Sequence, residues 1–176
     1  MRRYTYGVKQ YHNQERCGWS GGILIHLHHA ESTLTKQAVS VILKAMGNDH
    51  GIDVVAAVIQ RGNAFLVAQR PLHKRHGGLW EFPGGKVQVG ESLLEAARRE
   101  LAEELSVDVT DVGEMLFSRC DPDSPFVILF VPVMINGVPR VIEHDDLRWA
   151  TVAELKTLPL APSDAQFVSE YLQRHF

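Results

Sequence analysis

Apolar positions recur along the chain with different periods, and the changes of period divide it. Residues 1–20 show no periodicity and read as loop or disorder. Gly21-Gly22 then opens Ile23-Leu24-Ile25-His26-Leu27-His28, a short strand-like run. From Thr33 the period turns helical: Leu34, Ala38, Val41, Ile42 and Ala45 share one face, and Gly47 is a stop. Asp53 to Gln60 is nearly all apolar and β-rich, as in a buried strand. Arg61-Gly62-Asn63 is a turn, and Ala64 to Arg70 returns, which predicts a hairpin. Pro71 to Gly78 is polar, and Leu79 to Phe82 is a short extended piece ending at Pro83-Gly84-Gly85.

A second helix is predicted from Glu91 or Ser92. Leu94, Ala97, Leu101 and Leu105 recur at helical spacing, and Ser92 with Glu95 has the form of a capping box. After Val107 the period returns to strands. One is expected over Val112–Ser118 and a strong one over Phe126–Ile135, where Pro132 hints at an edge or a bulge. Asp121 to Pro125 reads as a turn and Asn136-Gly137 as a hairpin turn. Residues 141–149 run from loop into strand, Thr151 to Thr157 is a short capped helix, and a last helix spans Ser163–Arg174. Strands interleaved with helices place the chain in the α/β class.

The 176 residues are 45% hydrophobic with a net charge of −3, enough for one domain with a sizeable core. That charge excludes bulk binding to nucleic acid or to a membrane surface by electrostatics alone. No apolar run reaches the ~18 residues of a membrane span. Cys17 and Cys120 are far apart, so a structural disulfide is not expected and a reducing cytoplasm is the default setting. His26 and His28 would share a strand face, but no cysteine or acidic residue at ligand spacing supports a metal site there.

One charge pattern changes the picture. Glu100, Glu103 and Glu104 fall on one face of the second predicted helix. Like charges at this spacing repel, and a hard divalent cation with substrate phosphates would relieve them. A solvated glutamate face is the plain alternative. The residues before the glutamates weigh against it: Gly85, five residues, Glu91, seven residues, then Arg99-Glu100-Leu101-x-Glu103-Glu104-x-Ser106-Val107. This spacing resembles the Nudix box, with every fixed position matched except the final glycine, here Ser106. Serine there costs about 1 kcal/mol in a left-handed helix cap or forces a different cap.

The resemblance implies an α/β/α sandwich with a mixed sheet between helices, spanning residues 51–176. It implies hydrolysis of a nucleoside diphosphate linked to another moiety. It also implies Mg²⁺, with Mn²⁺ as an alternative, held by Glu100, Glu103, Glu104 and the Gly85 carbonyl. Arg99 would pair with Glu91 or Glu95 and brace the loop against the helix. The flanks, Val67-Ala68-Gln69-Arg70 and Gly78 to Lys86, look like the MutT-type branch, whose members hydrolyse nucleoside triphosphates to monophosphate and pyrophosphate. By that match Arg70 and Lys86 lie near the phosphates and Phe82 packs on the base. Glu143 is a further metal ligand or base, and Asp164 hydrogen-bonds the base edge. Each has a plainer reading: surface charges at Arg70 and Lys86, core packing for Phe82, Asp145 or Asp146 in place of Glu143, and a helix N-terminal acid at Asp164.

Two departures bear on the base. The turn is Pro122-Asp123-Ser124-Pro125, where the oxidised-guanine hydrolases carry Pro-Asp-Arg, and the base-edge position is aspartate rather than asparagine. An ionised carboxylate accepts only, which favours donors such as the cytosine amino group or the N1–H/N2 edge of guanine. Both 8-oxo-dGTP and CTP-type substrates stay open. So do a nucleotide sugar or dinucleotide and, in another class, a non-catalytic Nudix-fold binding domain. The expected partner is a nucleoside triphosphate, with no stable nucleic-acid binding and no membrane, and the oligomeric state is left open. Residues 1–50 lie outside the resemblance. They are either an addition upstream of a start at Met46 or an extension that packs on the domain or dimerises through the 34–45 helix.

Overall fold

A computed structural model describes residues 51–121 and 124–176. The expectations for residues 1–50, including the 34–45 helix and the histidines, lie outside the described residues. Strand β1 (Ile52–Val58) is central. It pairs antiparallel with β5 (Gly84–Lys86) on one side and parallel with β8 (Phe126–Asn136) on the other. β8 in turn pairs antiparallel with β6 (Asp108–Val112) and β7 (Phe117–Cys120). A second sheet holds β2 (Gln60–Arg61), β3 (Ala64–Gln69) and β4 (Trp80–Glu81), with β9 (Asp146–Thr151) on β3.

The alternation of β1 and β8 decides the layers, because successive side chains face opposite sides of a sheet. Val55, Ala57, Val131 and Val133 pack with Ala96, Ala97, Leu101 and Leu105 of α1 (Leu93–Leu105). Ala56, Val58 and Phe130 face the other way, against Phe167, Val168, Tyr171 and Leu172. Those four belong to α3 (Pro162–Phe167) and to the wider helical turn Val168–Leu172 that follows it. The result is the expected α/β/α sandwich. A short α2 (Val152–Leu155) begins at the capping box of Thr151 and Glu154, and α4 (Gln173–His175) ends the chain.

Four expectations are corrected. The Arg61–Asn63 turn closes a hairpin, but between β2 and β3. The chain breaks at Ile59, so β1 belongs to the main sheet and pairs with β5 and β8. The strand expected over Val112–Ser118 is two strands with residues 113–116 between them, and the alternating Asp108–Val112 is the part overlooked. Asn136-Gly137 ends β8 without a hairpin. The next strand, β9, joins β3, since its apolar residues are needed to cover the second sheet. Pro132 lies in a central strand, opposite Val58 where the β1–β8 pairing stops, so its missing N–H interrupts little. The expectation that no structural disulfide forms involves Cys17, which lies outside the described residues.

Candidate active site

α1 starts as its sequence dictates. Ser92 accepts from the Glu95 N–H, and the Glu95 carboxylate accepts from the Ser92 N–H. It ends at Ser106 in the left-handed conformation (φ 55°), the cap inferred from the missing glycine. The loop before the helix is tied to it by Arg99, which donates to both oxygens of Glu91 at 2.8 and 2.9 Å, to Glu100 at 2.7 Å and to the Lys86 carbonyl at 2.9 Å. Of the two partners considered for Arg99, Glu91 is the one used; Glu95 is taken by the cap. The Arg99 guanidinium, together with the Gln88 N–H, holds the Glu91 carboxyl down to about 2. Hydrogen bonds to Glu91, and then to Glu100, raise the Arg99 pKa.

The glycines at 84 and 85 bring β5 against this helix. A Cβ on Gly85 would overlap the Glu100 carboxylate, and one on Gly84 would overlap the Val55 carbonyl. The Gly84 N–H donates to Glu104 at 3.1 Å. Glu104 is only 9% exposed. Burial pushes its carboxyl up to about 8, reinforced by the charges of Glu81, Glu100 and, more weakly, Glu143; the Gly84 hydrogen bond opposes the rise.

These residues border a cavity of about 570 Å³, within the range of small-ligand sites. Its carboxylates are Glu81, Glu100, Glu104, Asp121, Glu143 and Asp164, and its lysines and arginines are Arg70, Lys74, Arg75 and Lys86. Its apolar wall includes Val54, Ala56, Phe82, Phe126 and Ile128. The candidate residues Gly85, Glu100, Glu104, Glu143, Arg70, Lys86, Phe82 and Asp164 therefore meet at one pocket. Glu103 is exposed on α1 and does not border it. Phe82 is 3% exposed and makes edge contacts with Phe130 and Phe167, so most of its ring belongs to the core. Asp164, in the first turn of α3, is also buried and accepts from the Phe82 N–H at 2.8 Å. Burial first, then the charge of Glu81, raises its pKa well above the ordinary aspartate value.

Sequence reasoning missed Glu81, His144, Lys74, Arg75 and Asp121. Glu81 forms an ion pair with Arg70, and its other oxygen lies 3.2 Å from Nε2 of the buried His144, whose Nδ1 has no partner. Lys74 reaches Glu143 at 3.1 Å and Arg75 reaches Asp121 at 3.1 Å. The one signal available was Glu81 itself, a charge between the aromatic residues Trp80 and Phe82 in a short extended run.

As the side chains stand, no three of the described His, Cys, Asp or Glu residues converge on one metal position. Instead Arg99 holds Glu100, the Gly84 N–H holds Glu104, and Lys74 holds Glu143. The donor set nonetheless fits a hard divalent ion. All these donors are oxygen, and a carboxylate among carboxylates in a buried position gains from a cation.

Known proteins share this fold. Residues 49–171 match the NUDIX domain. The chain belongs to the NUDIX family. It is similar to the CTP pyrophosphohydrolase of Escherichia coli, 40% identical over 125 residues covering 69% of this chain and 91% of that one. It is also similar to the putative 8-oxo-dGTP diphosphatase 2 of Mycobacterium tuberculosis, 38% identical over 120 residues, 66% of this chain and 85% of that protein. Among solved structures, the E. coli ORF135 protein superposes with a TM-score of 0.60 at 39% identity, covering 70% and 89% of the two chains. A MutT structure from work on Aliivibrio salmonicida and Vibrio cholerae gives 0.60 at 32%, covering 70% and 98%. The protein is thus a Nudix hydrolase with pyrophosphohydrolase relatives. No helix among the described residues is long and apolar enough to cross a membrane.

Proposed function

We propose that this Nudix hydrolase is a Mg²⁺-dependent nucleoside triphosphate pyrophosphohydrolase, releasing nucleoside monophosphate and pyrophosphate. The observation that carries the reading is Glu104. It is buried beside Glu100 at the Gly84-Gly85 strand, in a cavity that Arg70 and Lys86 also border. Glu100, Glu104, Glu143 and the Gly85 carbonyl hold the metal, with Mn²⁺ as a substitute, and Glu103 joins them by its place in the box. A bound Mg²⁺ supplies Lewis-acid charge at the phosphate oxygens and a more acidic water. Arg70 and Lys86 bind the phosphates, Arg99 and Glu91 brace the loop, and the Phe82 edge with Asp164 receives the base.

Asp164 refines the substrate. Its burial favours the neutral acid, which donates at one oxygen and accepts at the other, much as an amide does. The restriction to donor-bearing base edges, which held for an ionised carboxylate, therefore loosens. An oxidised guanine triphosphate and a CTP-type substrate both fit, in keeping with the names of the two relatives. With the former, the enzyme would clean oxidised nucleotides from the pool.

The test is pyrophosphate release with Mg²⁺ on a panel including CTP, dCTP, dGTP and 8-oxo-dGTP. We expect turnover by the wild type and losses on the order of 10²-fold or more in Glu104→Gln and Glu103→Gln. Absence of turnover on every nucleotide, or equal turnover by all three proteins, would remove the reading.

A further inference from the structure

The basic segment after β3 is tied to the acidic side of the same cavity. Arg70 pairs with Glu81, Lys74 with Glu143 and Arg75 with Asp121. The three pairs are not alike. Glu81 is also held by His144, and Asp121 also accepts from the Ser124 hydroxyl at 2.8 Å; both acids are largely buried. The Lys74–Glu143 pair is a single contact of 3.1 Å between side chains 40% and 47% exposed. Exposed pairs of this kind are weak and exchange readily.

The backbone on both sides is anchored, so exchange needs side-chain rotation alone. The Lys74 N–H donates to the Pro71 carbonyl at 3.0 Å, and the Gly78 N–H to the Arg70 carbonyl at 2.8 Å. Around Glu143, the Ile142 N–H donates to the Glu104 carbonyl at 3.2 Å and the Asp145 N–H to the Gln69 carbonyl at 2.9 Å. Glu143 is thus fixed next to the end of the glutamate helix, and Lys74 reaches it on a flexible four-carbon stem.

We propose that Lys74 is a phosphate-binding residue of this site and that Glu143 controls its availability. Without metal, Glu143 holds the Lys74 ammonium on the acidic side of the cavity. When Glu143 turns to a divalent cation, the ammonium is released to the polyphosphate that arrives with it. Cation and anion then each gain the partner they need, and entry of a polyanion without metal is disfavoured. The inference rests on the reading of a metal-dependent polyphosphate hydrolase.

The experiment is calorimetric titration of the full chain with inorganic tripolyphosphate, with and without Mg²⁺, which needs no turnover. With Mg²⁺, Lys74→Gln should weaken binding 5- to 10-fold, estimated as the loss of one charged phosphate contact, while Lys74→Arg retains most of it. Without Mg²⁺, Glu143→Gln should bind several-fold more tightly than wild type, and that gain should vanish in the double variant with Lys74→Gln. Unchanged affinity in Lys74→Gln with Mg²⁺, or a Glu143→Gln gain that persists in the double variant, would overturn the proposal. If these affinities behave as expected while no nucleotide is turned over, the catalytic reading fails and the Lys74 exchange stands.

Discussion

At the residue scale, Glu104 concentrates the energetics of the site. Its folded pKa of about 8 lies above its ordinary 4.5, so folding favours the neutral acid. The stability this contributes is complete below about pH 4.5 and is lost as pH rises through about 8. In chelator, the melting temperature of the wild type should therefore fall between pH 6 and pH 9, by a few degrees if the net cost is about 1–2 kcal/mol. Glu104→Gln keeps an acceptor for the Gly84 N–H and should melt with less dependence on pH over that window. Thermal melts across pH check this, and parallel curves for the two proteins would contradict it. Asp164 shows the same physics, since burial also raises its pKa, and in the proposed base subsite this changes what the carboxyl can recognise.

At the scale of elements, β5 and α1 form one unit, and the two glycines of β5 serve different ends. Gly84 has φ 148° and faces the Val55 backbone, which cannot give way. Gly85 faces the Glu100 carboxylate, the mobile end of a side chain. Gly85→Ala should fold, with unchanged circular dichroism, yet lose activity on the order of 10²-fold because Glu100 is displaced. Gly84→Ala should instead reduce soluble, folded protein. Loss of folding by Gly85→Ala would show that β5 tolerates no shift at all. Most of this unit was legible in the sequence. The Ser92 cap, the Ser106 stop and the buried stripe all depend on neighbours within one helix or its entry loop, whereas the choice of Glu91 over the i−4 Glu95 as partner of Arg99 followed from the cap, which occupies Glu95. The β6–β7 division and the fate of Asn136-Gly137 were not, because the partner of a strand is chosen by packing across the whole sheet.

At the scale of the molecule, six carboxylates border one cavity, so a divalent ion bound there should act as a stabilising ligand of the fold. Mg²⁺ at about 100 times its dissociation constant should add about 2.7 kcal/mol. That corresponds to a rise in melting temperature of several degrees. The rise should be larger at pH 8 than at pH 6, since Glu104 binds the cation only once it has lost its proton. Differential scanning calorimetry with Mg²⁺ and with EDTA at both pH values checks it. An equal shift in Glu104→Gln would move the metal away from this residue.

The glutamate helix marks the division between what the chain states locally and what folding adds. From sequence alone, the 3.6-residue period and the spacing from Gly85 to Glu104 determined the helix, its caps and its carboxylates, and carried the resemblance that implied the family chemistry. All of these rest on interactions among near neighbours. Only the tertiary structure decided that Glu104 is buried while Glu103 is exposed, since that depends on where β5 and the 140–144 segment cross the helix. Only it joined Lys74 to Glu143, and Phe82 to Asp164, residues 69 and 82 positions apart. Contacts at such separations depend on the packing of both sheets, and no local pattern encodes them.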